Sequence, residues 1–595
     1  MHRYVALISP EAGPAALEPA AARFAQRFPT WRTVMANDHV RVWTQVNGDT
    51  PLGAERHAQG CLLGKAFATA ESTTDSAPPP SVADLLQRRW GAYVAVQNDP
   101  ASGSVEVLRD PTGRVECWRM GLTAGVEAVF SHYEDVRWLR DAPVALHWNY
   151  IRYHLHNDWC RGADTGLQEV EEILPGERVT FRPDGVVDRE RAWRPSQVAG
   201  RHLATPAEAA KAMRRAAETS VSAWAALYDR LALDLSGGLD SAIVLGLLRR
   251  HAGHGGVVGV NWVTSQVEGD ERAFARDVAK LHGIELIEVD VPRLGLDDIT
   301  PFAGRLLRPS NRIMPLGYDQ LAEGLRVRLG AQAYFSGTGG DHLFYDHLGA
   351  EAAADCLRRQ GPTPRFFEAA YRLAQLSGET FWHVLAMSVR ANLHSPRADA
   401  RLERGNSLLT PEGQTGVDFT RFAHPWLTEA AHMPPAKLLQ ILNISELQRH
   451  YWRYGRADVA DEVHPLFSQP LLEVCLQTPS DWFAADGLQR GLARRAFADL
   501  LPESIRTRRT KGANTSHWMS LLADSLPTVR ETLMEGRLVA EGLLDRARMA
   551  AALQPLPLAA GRELMSIVRC LTTELWVRAT EAAERSLPGP GRQAA

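Results

Sequence analysis

No run of apolar residues in this chain approaches the ~18–20 needed to cross a bilayer. The first ten residues, from Met1-His2-Arg3 to Ser9-Pro10, carry too short an apolar stretch for a signal peptide. Both absences predict a cytoplasmic protein with no membrane partner. Cysteine is scarce: Cys61, Cys117, Cys160, Cys356, Cys475 and Cys570 are scattered, with no CxxC pair, and read as reduced thiols rather than a disulfide framework or zinc site. A basic excess is also missing. Lys plus Arg number 66 against 70 Asp plus Glu, for a net charge of −4, which weighs against a nucleic-acid partner. Basic residues cluster only locally, at Arg490, Arg494 and Arg495 and again at Arg506, Arg508, Arg509 and Lys511. There is no internal repeat. Low-complexity stretches are confined to residues 76–80 and 588–595. No GxxxxGK(S/T) occurs, so a Walker-type phosphate loop is excluded.

What is present is a soluble globular composition: 45% hydrophobic and 23% charged residues over a 595-residue chain. At ~100–200 residues per domain this length holds about three units, or two larger ones. The first 200 residues are rich in short β-type runs, at 4–8, 40–46, 92–97, 105–108, 115–119, 128–131 and 177–181. Helical spacing appears at 16–27 and 81–89, predicting an α+β layered domain over 1–200 with its boundary in the polar stretch 194–206. Beyond it, helix 207–228 leads to an apolar strand at 231–235, then helix 241–250, strand 257–263, helix 270–282, and strands at 285–289 and 333–336. Alternating strands and helices predict a doubly wound parallel sheet, so the fold class is α/β. Helical additions continue from about 351 to 584, giving a second domain over 201–595.

Two glycine turns punctuate that sheet. Ser236-Gly237-Gly238-Leu239-Asp240-Ser241 joins a buried strand to a helix, where backbone N–H groups and the helix dipole favour a phosphate or pyrophosphate. The hydroxyls of Ser236 and Ser241 add donors, and Asp240 suits a bridging Mg²⁺. Ser336-Gly337-Thr338-Gly339-Gly340-Asp341 follows another buried strand. Two strand-end loops with one carboxylate each meet over the carboxyl edge of such a sheet, so Asp240 and Asp341 are candidates to share the metal. The basic run 501–512 offers charge to stabilise a departing pyrophosphate, without saying which residue does so.

These loops, with Arg509-Thr510-Lys511, resemble the asparagine synthetase superfamily in kind, order and rough spacing. The front half is similar too. Arg109-Asp110-Pro111-Thr112-Gly113 resembles that family's RDPxG turn, Phe130-Ser131-His132 its FASE-type strand, and Leu174-Pro175-Gly176-Glu177 its PG turn. The resemblance implies a glutaminase-like front domain and an ATP-pyrophosphatase domain that converts ATP to AMP and pyrophosphate. It further implies that Ser236, Gly237, Gly238 and Ser241 hold phosphates, with Ser336 and Gly337 also at the nucleotide and Gly337 near adenine. Asp240 and Asp341 bind Mg²⁺, and Lys511 stabilises the transition state. Glu462, in Asp461-Glu462-Val463-His464-Pro465-Leu466, resembles the acid of the ExRxPFLD segment, which implies a catalytic role beside Lys511, although its neighbours differ.

Two departures narrow the expectation. Glutamine-using members begin Met-Cys, whereas this chain reads Met1-His2 and has no cysteine before Cys61; an imidazole does not replace a thiolate in acyl transfer from an amide. A front domain without glutaminase activity, serving structure or substrate docking, is therefore expected. At Thr338, asparagine synthetases carry Glu and β-lactam synthetases Tyr; a threonine hydroxyl is no useful base. Together these features look most like the lasso-peptide macrolactam synthetases. The implied substrate is a precursor peptide whose Asp or Glu side chain is adenylated and attacked by its own N-terminal amine. The implied cofactors are ATP and Mg²⁺, and the implied partners a leader-peptide-binding protein and a leader peptidase. A β-lactam or carbapenam synthetase and a glutamine-independent asparagine synthetase are the alternatives. The aromatic segments 148–159 and 451–454 are candidate groove linings.

Overall fold

The computed structural model describes the chain except residues 1, 11–12, 47–49, 58, 70–81, 123–124, 141, 160, 252–255, 264–269, 293–294, 312–316, 347, 394–404, 449–454, 510–518, 520–521, 555–561 and 587–595. Lys511, Cys160, the aromatic segment 451–454 and both low-complexity stretches lie outside the described residues.

Strand His2–Ile8 sits within the first of two antiparallel sheets. Tyr4, Ala6 and Ile8 share a buried cluster with Leu63, Val94, Val96 and Val107 of the second sheet. Val5 and Leu7, pointing the other way, pack against Leu17, Ala21 and Phe24 of helix Gly13–Arg27. Both faces of one strand are therefore buried, which is why residues 4–8 are apolar without alternation. On the far face of the second sheet, Tyr93, Ala95 and Leu108 meet Val82 and Leu85 of helix Val82–Arg88. The front region is a helix–sheet–sheet–helix stack, as the α+β expectation required. Among the described residues each sheet has six strands. The run expected at 115–119 forms strand Trp118–Gly121 instead, because Cys117 belongs to the intersheet core before pairing begins.

The second region is built on a parallel sheet ordered Leu286–Asp290, Val257–Val263, Leu231–Asp234, Ala333–Ser336, Asp461–Val463. The chain moves outward from Leu231–Asp234 on one side, then returns to add Ala333–Ser336 on the other. The order therefore reverses between these two central strands, and in open α/β sheets that crevice is where ligands bind. Helices Pro206–Ala225, Leu239–His251 and Gln469–Gln477 cover the sheet and share one large core with Leu231, Leu233, Ala333 and Phe335. Helix Trp148–His156, read from sequence as a candidate groove lining, is mostly internal. Ile151 and Leu155 join the core formed with the C-terminal helix Arg562–Arg585, and Tyr150 and Tyr153 pack with Phe422.

The front turn reaches the sheet edge. Asp110 accepts from Tyr93 N at 3.1 Å and Thr112 N at 2.8 Å, fixing the turn. Arg114, just after it, stacks on Trp224 at 4.6 Å and donates to the backbone oxygen of Glu462. Thr50 of the front region donates to Asp461.

Candidate active site

Leu235 follows strand Leu231–Asp234, and its N–H and C=O bond Val260 O at 2.8 Å and the Asn261 amide at 2.7 Å, so the turn begins from a fixed point. Gly237 then takes φ +79°, a left-handed conformation that glycine adopts without penalty. Ser236 Oγ lies 3.2 Å from Ser241 Oγ and accepts from Gly238 N at 3.2 Å. Helix Leu239–His251 starts here, so its unbonded N–H groups and positive dipole end face the same turn. A side chain at Gly238 would meet only Ser236 Oγ within 4 Å, leaving room above the turn.

The second loop packs directly on the first. A Cβ at Gly337 would stand 2.4 Å from Ser241 N, and one at Gly340 2.3 Å from Asp240 Cγ. No other residue type fits either place without moving the neighbouring loop. Ser336 Oγ donates to Thr338 Oγ1 at 2.9 Å, accepts from Thr338 N at 3.1 Å, and lies 2.7 Å from Nδ1 of buried His464.

The two loop carboxylates meet on one cation. Arg490 Nη1 donates to Asp240 Oδ2 at 2.7 Å and to Asp341 Oδ1 at 2.5 Å, and Arg490 Nε lies 3.6 Å from Asp346. Burial pulls the Arg490 pKa down, but Asp240, Asp341 and Asp346 outweigh it and the net shift is upward. Arg490 holds φ +55°, an uncommon conformation for a non-glycine residue, at the start of helix Gly491–Ala496. Arg508 approaches from the other side. It donates to Gly237 O at 3.1 Å, pairs with Glu271 at 2.6 Å and stacks on Phe274 at 3.9 Å. Arg494, nearby, is lowered to about 10 by burial and by Arg490.

Glu462 lies on strand Asp461–Val463, held by Arg456 Nε at 2.7 Å, while Arg456 also pairs with Asp234 at 2.9 Å. Burial alone would raise the Glu462 pKa; Arg456 and His464 reverse that and lower it. Ser236, Gly237, Gly238, Asp240, Ser241, Ser336, Gly337 and Asp341 are thus brought together. Glu462 is linked to them through His464. Arg490 appeared in the sequence only as part of a basic patch. The clue to its place was that two neighbouring aspartates need a counter-charge. Arg508 likewise appeared only within a basic run, and His464 and Arg456 carried no such signal.

The residues fit the groups expected of them. A helix N-terminus, two hydroxyls and an open glycine suit phosphate oxygens, and Asp240 and Asp341, here paired with Arg490, are carboxylate donors of the kind Mg²⁺ takes. A doubly wound sheet whose two switch-point loops carry hydroxyls, glycines and paired carboxylates defines a nucleotide-using α/β enzyme.

The asparagine synthase family model matches residues 212–578, and the chain belongs to that family. It is an ATP-dependent, amide-forming ligase. No curated protein matches the sequence. Similar solved structures include one described as the allosteric regulatory enzyme of purine biosynthesis, 10% identical over 56% of this chain and 89% of that one, with a TM-score of 0.21. Another is the glutamine-dependent NAD+ synthetase of Acinetobacter baumannii, 16% identical over 34% and 43%, TM-score 0.18. A third is the glutamine phosphoribosylpyrophosphate amidotransferase of B. subtilis, 10% identical over 61% and 80%, TM-score 0.18. Likenesses this distant carry no argument about function. Among the described residues no helix is long and apolar enough to cross a membrane.

Proposed function

We propose that this chain closes the isopeptide ring of a lasso precursor peptide. The peptide's Asp or Glu side-chain carboxylate attacks ATP to give the acyl adenylate and pyrophosphate. The peptide's N-terminal amine then attacks the acyl carbon, the acyl–phosphate bond breaks, AMP leaves, and the amine's proton passes to solvent. Ser236, Gly237, Gly238 and Ser241 hold phosphate oxygens, with Ser336 and Gly337 beside the nucleotide. Asp240 and Asp341 hold Mg²⁺, which supplies positive charge at the pyrophosphate; Lys511 adds to it, and Glu462 fixes Arg456 at the sheet edge. A leader-binding protein and a leader peptidase complete the proposed system.

Thr338 carries this reading. Its hydroxyl and N–H close the loop on Ser336, so neither a carboxylate nor a phenol stands there to deprotonate an incoming amine. An α-amine with a pKa near ~8 is partly neutral at pH 7 and needs no dedicated base once held against the acyl carbon. The front thiols support it as well: Cys61 and Cys117 are buried and pushed up to about 12 by burial, far from a thiolate that would take ammonia from glutamine.

The test is mass spectrometry of a core peptide encoded beside this gene, co-expressed with this protein and the neighbouring protease. A product lighter by one water and resistant to carboxypeptidase is expected. An unchanged linear peptide, with AMP formed instead from β-amino acids or from aspartate plus ammonia, would overturn the reading in favour of a small-molecule synthetase.

A further inference from the structure

Between the front region and the C-terminal helix lies a cavity of about 320 Å³, apart from the two glycine loops. Its size is that of a small-molecule site. Tyr133 borders it on the front side. Thr580 and Glu584 border it from helix Arg562–Arg585, and Leu167, Pro301 and Leu306 supply apolar wall.

Two polar side chains there are nine-tenths buried and incompletely bonded. Thr580 is 5% exposed, and its Oγ1 has no hydrogen-bond partner, although a helical threonine ordinarily bonds the carbonyl one turn back. Glu584 is 6% exposed; its Oε2 accepts from Val144 N at 3.0 Å, while Oε1 has no hydrogen-bond partner. Among the described residues no cation pairs with Glu584 within salt-bridge distance. The phenol of Tyr133 sits beside it, close enough to hydrogen-bond the carboxylate, and its pKa is raised by burial first and by Glu584 next. The two arginines of the wall are engaged elsewhere: Arg137 donates to Ala583 O at 3.1 Å, and Arg305 pairs with Asp458 at 3.0 Å.

A buried carboxylate without a cation is costly, and a ligand that brings one removes the cost. An alkylammonium has three N–H donors, and Glu584 Oε1, Thr580 Oγ1 and the Tyr133 oxygen are three acceptors. Of the other charged side chains of the wall, Arg137 and Arg305 are positive and Glu134 is negative. We infer that this cavity is a binding site for a small primary amine with a short apolar body, its ammonium on Glu584 and Thr580.

Titration calorimetry of the full chain with isoamylamine, isoamyl alcohol and isovalerate tests this. The amine is expected to bind about tenfold or more tightly than either neutral or anionic analogue. Glu584→Gln keeps an acceptor for Val144 and is expected to weaken the amine about tenfold. Thr580→Val, which leaves the Val144 bond untouched, is expected to weaken it several-fold. Equal binding of the three probes, no binding of the amine, or amine binding unchanged in Glu584→Gln would each overturn the assignment.

Discussion

The guanidinium of Arg490 bonds the Asp240 carboxylate at 2.7 Å, and through the same nitrogen it also reaches Asp341. Both loops at the sheet's switch point are thus tied to a residue far along the chain. Replacing Arg490 with Met removes the guanidinium that Asp240 and Asp341 share. A loss of about 2–4 kcal/mol in unfolding free energy is expected, partly restored by millimolar Mg²⁺. Denaturant unfolding with and without Mg²⁺ measures it, and unchanged stability in Arg490→Met would show that the clamp contributes nothing.

Asp240→Asn and Asp341→Asn address the proposed metal role. Each keeps the size of the side chain and loses its charge, so pyrophosphate release from ATP should fall by ~10²-fold or more while circular dichroism stays native. Lys511→Ala should do the same. Wild-type turnover in any of the three would remove that residue from the assignment.

Thr338→Val separates the lasso reading from one that needs a base at this position. The exchange removes the hydroxyl bonded to Ser336 while leaving the backbone N–H bond in place. Cyclisation should slow by less than about tenfold, with an unchanged pH profile. A loss of ~10³-fold, or a shifted basic limb, would mean that the hydroxyl takes part in proton transfer.

Gly337→Ala and Gly324→Ala form a matched pair. At Gly337 the new methyl would meet Ser241 N at 2.4 Å, whereas at Gly324, inside helix Gly317–Leu329, nothing lies within 4 Å. The first should cost about 2 kcal/mol or more and weaken ATP binding; the second should gain about 0.5–1 kcal/mol from helix propensity. Thermal unfolding decides both, and a neutral Gly337→Ala would mean that the loops are less tightly apposed than described.

Acid should destabilise the fold through His424. It is buried and caps helix Pro425–Ala430 by accepting from Trp426 N at 3.2 Å, and burial lowers its pKa to about 3 from an ordinary 6.5. The folded state keeps it neutral while the unfolded chain protonates below 6.5. Its contribution is therefore complete above pH 6.5 and is lost as pH falls from 6.5 toward 3. His424→Asn retains a capping acceptor and should flatten that part of the stability–pH curve by on the order of 1 kcal/mol or more. Parallel curves for the two proteins would assign the acid sensitivity elsewhere.

The two glycine loops and the strands before them were legible because a doubly buried strand is a continuous apolar run, and a turn at a helix start needs glycine and hydroxyls in a fixed order. Strand Asp461–Val463 was not: three residues, two of them acids, form a strand only because Ala333–Ser336 offers its free edge. The front edge strands Arg32–Ala36 and Gly53–His57, and Gly60–Ala68 beside the latter, also went unread, since register with neighbours rather than composition defines them.

By itself the sequence determined the α/β class, the layered front region and the family's two phosphate-loop motifs, since each depends on residues adjacent in the chain. Tertiary structure alone decided that Arg490 joins Asp240 to Asp341, that Arg456 holds Glu462, and that Glu584 faces a cavity against Tyr133. Electrostatic pairing and cavity lining depend on which distant segments are packed together, and no local pattern of residues encodes that distance.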